Sequence, residues 1–108
     1  MKSPSKKKRT TAIERHTVIT LSTGHVPESL ATEDEVAARR APMDGLALMT
    51  GEHGWFVNVN RDLSAVKEPE SIVNALREIL WWAKRRGTDY VLFDSAGPVL
   101  ERFAVYDW

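Results

Sequence analysis

The chain of 108 residues contains no cysteine, which excludes disulfides and thiolate metal sites and fits a reducing compartment. No apolar run approaches the roughly 18 residues of a membrane-spanning helix, and the basic start is followed by no hydrophobic signal core. The expected location is the cytoplasm, with no membrane contact. The three histidines, His16, His25 and His53, show no HExxH spacing, so neither a metal nor another cofactor is expected. Internal repeats are absent. No stretch amounts to a diagnostic catalytic or ligand-binding motif, and the sequence speaks first about architecture.

What is present is ordinary globular material: 43% hydrophobic and 28% charged residues, enough for one domain with a modest core. The net charge of zero hides an uneven distribution. Lys2, Lys6, Lys7, Lys8 and Arg9 put five of the 15 basic residues into the first nine positions, so residues 10–108 hold 10 basic against 15 acidic ones. Residues 1–12 therefore read as a disordered basic tail and 13–108 as the domain. Such a tail either aids solubility or draws the chain, in a salt-sensitive way, toward nucleic acid or an acidic partner through Lys6, Lys7, Lys8 and Arg9. The acidic body argues against a large DNA footprint.

The stretch from Pro69 to Phe93 carries the strongest local signal. Ile72, Leu76, Ile79 and Ala83 recur at helical spacing, with Val73, Ala75, Leu80 and Trp82 flanking that stripe. Pro69 and Glu70 suit the first turn, Lys84, Arg85 and Arg86 suit the last, and Gly87 supplies the left-handed stop. Trp81 points away from the stripe, among Asn74, Arg77, Glu78, Lys84 and Arg85. An indole so placed either lies on Arg77 or Arg85 or anchors a protein partner.

Elsewhere, Thr17 to Leu21 alternates as a first strand, and a weaker helix runs from Pro27 to Ala37 or Ala38 and ends in the segment from Ala41 to Gly45. Within it Thr32 and Glu35 can instead form a capping box that starts the helix later. Leu46 to Met49 and Trp55 to Asn60 make a hairpin across a glycine-flanked turn. Tyr90 to Phe93 is the next strand and Phe103 to Tyr106 the last. Trp55 and Trp82 are expected in the core. The order β, α, β, β, α, β, β predicts an α+β two-layer sandwich, ferredoxin-like βαββαβ with an additional C-terminal edge strand. Its mainly antiparallel sheet would run 5-4-1-3-2, with the helices on one face.

Several short motifs, Ser22-Thr23-Gly24-His25, Gly54-Trp55-Phe56-Val57, Gly87-x-Asp89-Tyr90-x-x-Phe93-Asp94, Gly97-Pro98 and the terminal Val105-Tyr106-Asp107-Trp108, occur in a set order and spacing. In that order they resemble a family of small uncharacterised domains encoded on bacterial plasmids and integrative elements. The resemblance runs from about residue 17 to 108, and Gly24 stands where it leads one to expect alanine. It implies an accessory protein of a mobile element and no particular chemistry.

Three functions follow as expectations. In the first, the chain is a binding protein, monomer or homodimer, that meets a protein partner through Trp81, Arg77 and Arg85 or through Phe56 and Asn58 on an open sheet face, modulating a host process or defence system. In the second, a small hydrolase or anion-binding enzyme, Ser22, Thr23, Gly24 and His25 hold an anion at a helix start, and Asp107 orients His25 as a base. The structural alternative for these residues is capping and packing. The third is a nucleic-acid-associated protein relying on its tail, which the scarcity of Lys and Arg on the strands disfavours.

Overall fold

The computed structural model describes Arg9 and residues 11–108. The basic tail, with Lys6, Lys7 and Lys8, lies mostly outside these residues. The chain runs β1 (Val18–Ser22), a 3-10 turn (Thr23–His25), α1 (Glu28–Ala31), α2 (Pro42–Leu46), β2 (Met49–Gly51), β3 (Gly54–Asn58), α3 (Glu70–Arg85) and β4 (Tyr90–Asp94).

The long helix forms as its spacing predicts. It buries Val73, Leu76, Ile79, Leu80, Trp82 and Ala83, and each fully buried Leu or Ile contributes about 2–3 kcal/mol of apolar transfer free energy. Glu70 lies in its first turn and Lys84 and Arg85 in its last. Gly87 follows at φ +75°, a conformation that costs a residue with a Cβ about 1–2 kcal/mol.

The strands form one mixed sheet in the order β1-β4-β3-β2. β1 pairs with β4 in parallel, placing Leu21 beside Phe93, while β4 pairs antiparallel with β3, placing Trp55 opposite Phe93 and Val57 opposite Val91. The hairpin from β2 to β3 turns at Glu52 and His53, with Gly51 opposite Gly54. Gly54 is required by close approach, since a Cβ there would stand 1.7 Å from the Phe93 carbonyl oxygen. A single buried cluster takes Leu21, Trp55, Val57, Val91 and Phe93 from one sheet face and packs them against α3, Leu30 of α1, and Met43 and Leu46 of α2. Residues at alternate positions, Phe56, Asn58, Tyr90 and Leu92, are only partly covered, so the helices roof one side.

Four sequence expectations are corrected. The strand order is not 5-4-1-3-2, and the ferredoxin-like arrangement does not form, because β4 rather than β1 takes the inner position. Tyr90, Val91, Leu92 and Phe93 are apolar on both sides of the pleat, which suits a strand paired at both edges, whereas β1 with its exposed Thr20 lies at the rim. The sheet is accordingly mixed, not mainly antiparallel.

Second, no fifth strand forms from Phe103 to Tyr106. Phe103 packs on the helical side, its ring edge-on to both His25 (5.7 Å between centroids) and Trp82 (5.3 Å), while Ala104 and Val105 stay exposed. Third, the first helix ends after one turn. Thr32 turns its hydroxyl back on the Glu28 carbonyl (2.8 Å), and Asp34 closes a tight turn on Arg39 instead of continuing the helix. Fourth, the segment read as the helix terminator is itself α2, started by Pro42 and tied to β3 by the Trp55 Nε1–H, which donates to Asp44 Oδ1 at 3.0 Å.

No helix among the described residues is long and apolar enough to cross a membrane.

Candidate functional site

The end of β1 and the C-terminal segment meet at one rim of the sheet, where Ser22, Thr23, Gly24, His25 and Asp107 were expected to collect. His25 is buried there. The Leu100 N–H donates to its Nε2 at 2.9 Å, and Nδ1 lies 2.8 Å from the Ala104 carbonyl oxygen. A backbone N–H can only donate and a carbonyl can only accept, so the ring proton sits on Nδ1 and both nitrogens are used. Around this ring the Ser22 N–H donates to the Pro98 carbonyl (2.8 Å), the Tyr106 N–H to the Gly24 carbonyl (2.8 Å) and the Trp108 indole N–H to the Val26 carbonyl (2.9 Å). The Ser22 hydroxyl accepts from the Gly24 N–H at 3.0 Å, capping the turn. Asp107 is exposed and takes no part in the bonds to the His25 ring. Through Ser22, Gly24, His25 and Val26 this rim bonds to Pro98, Leu100, Ala104, Tyr106 and Trp108, strapping residues 98–108 across the helical layer.

The second candidate surface is the open sheet face. The register sets Thr20, Leu92, Phe56 and Met49 in one row across it and Val18, Tyr90 and Asn58 in the next. Phe56 and Tyr90 stack at 4.7 Å between centroids, and His16 meets Tyr90 edge-on at 5.4 Å. Val18 is 42% exposed and Met49 61%. Asn58 spends its side-chain oxygen on the Asn60 N–H at 2.8 Å, which shapes the turn leaving β3.

The third is the outer face of α3. Trp81 is 59% exposed, whereas its neighbour Trp82 is 9% exposed. The guanidinium that stacks on an indole does so on Trp82, where Arg86 Cζ lies 4.4 Å from the ring centroid; among the described residues neither Arg77 nor Arg85 covers Trp81. Trp81 forms a ridge between two hollows. One, of about 220 Å³, is lined by Arg61, Asp62, Arg77 and Lys84; the other, of about 400 Å³, by Glu78, Trp82, Arg85, Arg102 and Phe103. Arg77 donates to Asn74 Oδ1 and pairs with Glu70 at 3.8 Å. Arg61, Lys84, Arg85 and Arg102 enter no ion pair among the described residues. The Asp62 carboxyl is held below its ordinary value by the Ser64 N–H and hydroxyl, so it stays ionised beside these cations.

A family model described as the C-terminal domain of a family of unknown function (DUF5983) matches residues 18–108. The chain belongs to that family. The match covers the whole sheet, all three helices and the C-terminal strap, and it leaves out the residues before β1. No curated protein and no solved structure matches the chain.

Of the residues singled out from sequence, the fold brings Trp81, Arg77 and Arg85 onto one helix face and Phe56 near Asn58 on the sheet. It keeps these two groups apart, because α3 packs on the opposite side of the sheet from Phe56. Arg102, Phe103 and Arg61 were missed as neighbours of the tryptophans. Nothing local marks them: they reach α3 only because the strap and the segment after β3 fold back over it. Among the described residues no group of three or more His, Asp or Glu side chains is placed to hold a metal ion.

Proposed function

We propose that this domain is a protein-binding module whose principal contact surface is the uncovered face of the sheet. The observation that carries this reading is the row Leu92, Phe56 and Met49 with the stacked Tyr90 and the exposed Val18 beside it: five apolar side chains side by side on a face left out of the core. Isolated exposed apolar residues are common on any surface, but a contiguous patch on a sheet marks a binding site. The face carries no Lys or Arg within its strands, so it suits an apolar protein surface better than a phosphate backbone. The setting we infer, an accessory protein of a bacterial plasmid or integrative element that modulates a host process or defence system, rests on the resemblance of its motifs. The test is affinity capture from the native host with wild type and with Phe56→Glu, both verified as folded by circular dichroism. A partner held by the wild type and lost with Phe56→Glu is the expected result; a partner retained by the variant overturns the assignment of the surface.

A further inference from the structure

We propose that the Trp81 ridge is a self-association site and that its occupant is the Glu33–Val36 tip of a second copy of this chain. The two surfaces complement each other in charge and in apolar character.

On the ridge side, the exposed indole stands between hollows whose lining includes five cations, Arg61, Arg77, Lys84, Arg85 and Arg102, against two carboxylates, Asp62 and Glu78. Four of those cations have no ion-pair partner among the described residues. The body of the domain is acidic by composition, so this concentration of unpaired positive charge around an exposed tryptophan is a local feature with a directional field. Trp and Arg are also the residues that most often dominate binding energy at protein interfaces.

On the tip side, the tight turn after α1 presents Glu33, Asp34, Glu35 and Val36, and Val36 is 100% exposed. The turn is built to hold that shape. Asp34 and Arg39 exchange two backbone hydrogen bonds of 2.9 Å each, their side chains pair at 3.5 Å, and Asp34 Oδ1 accepts the Ala37 N–H. Ala38 sits at φ +53°, the one described non-glycine residue in the left-handed region. Asp34 is thus spent within the turn, while Glu33 and Glu35 enter no ion pair among the described residues and remain for Lys84 and Arg85 of another copy, with Val36 against the indole. The hollow beside the tip, about 630 Å³, is lined by five carboxylates, Glu28, Glu33, Asp34, Glu35 and Glu68, against two cations, Arg39 and Arg40, the reverse of the balance beside Trp81, and shares no residue with the two hollows there. A two-fold axis lets each copy offer its tip to the other's ridge, which doubles the contact and closes the pair. Exposed charge pairs are individually weak and screened by salt, so the association is weak and ionic-strength dependent. It stands apart from the sheet-face reading and uses none of its residues.

The experiment is sedimentation velocity on the full chain over a concentration series, at low and high ionic strength. Mass rising with concentration toward two copies at low salt and falling back to one copy at high salt is expected. Trp81→Ala and, separately, Val36→Asn weaken the association at least about tenfold, in line with loss of an interface anchor, whereas Phe56→Glu leaves it unchanged. A charge exchange closes the test. Chains with Glu33→Lys and Glu35→Lys, and chains with Lys84→Glu and Arg85→Glu, stay single alone and associate when mixed, each shown to be folded by circular dichroism. A chain that remains monomeric at low salt across the series overturns the proposal. So does association that persists in high salt and falls with Phe56→Glu, which assigns self-contact to the sheet face.

Discussion

Two regions carry most of the residues that look functional in this sequence, and they behave in opposite ways. At the rim, His25 is buried and occupied at both nitrogens by backbone groups of Leu100 and Ala104. On α3, Trp81 is exposed and four of the five cations around it enter no ion pair among the described residues, although tryptophan is a residue ordinarily buried in cores. The residue type associated with chemistry holds the fold together, and the residue type associated with packing faces outward. What separates them is whether the surroundings satisfy the group: a histidine whose hydrogen bonds are complete is a clasp, and an indole without neighbours is a surface.

The sharpest way to break that comparison uses the adjacent tryptophans. Trp82→Ala should cost about 3–5 kcal/mol, because it opens a cavity beneath Arg86 and Phe103. The measurement is the urea midpoint, and a loss below about 1 kcal/mol would place Trp82 outside the core. His25→Ala should cost about 2–4 kcal/mol, since it leaves the Leu100 N–H and the Ala104 carbonyl without partners and loosens the strap. Amide exchange over residues 98–108 should rise with it; protection equal to wild type there would mean that the strap is held by its other bonds alone. Trp81→Ala should change stability by less than about 0.5 kcal/mol, as for an exposed surface position. A larger loss would make the ridge part of the packing and weaken the contrast with Trp82.

The smallest effect concerns the turn after α1. The Ala37 N–H foremost, and then Arg39, hold the Asp34 carboxyl below its ordinary value of 3.8. A depressed carboxylate stabilises the turn above the unfolded value, and that contribution is lost as pH falls through the lower folded value. The Ala37 amide resonance should therefore shift in acid with a midpoint under 3.8. A midpoint at or above that value would show the turn to be open in solution.

Legibility from sequence followed the range of the interactions. The span of α3, its first and last turns and the left-handed Gly87 were readable because each depends on neighbours within a few residues. The hairpin was readable for the same reason, although its first strand is Met49–Gly51 and not Leu46 to Met49, because Leu46 is the last residue of α2. The first helix was overextended because Thr32 and Asp34 compete for backbone groups that helical spacing alone assigns to the helix. Phe103 to Tyr106 alternates like a strand, and nothing within those four residues reveals that His25, some 80 positions earlier, captures the Ala104 carbonyl. Trp81 was readable as outward-facing, but its freedom from a stacking guanidinium was not, since Arg86 chose Trp82.

From its residues alone the chain settled the span of α3, which of its sides is apolar, the strands β1, β3 and β4, and that Trp55 and Trp82 are buried, because these follow from local periodicity and hydrophobicity. Tertiary structure decided the order of the strands, the position of β4 between β1 and β3, and the bonding of both His25 nitrogens to the backbone of the strap. Those outcomes turn on contacts between residues far apart in sequence, where competing pairings have similar local preferences and only the closing of one common core chooses among them.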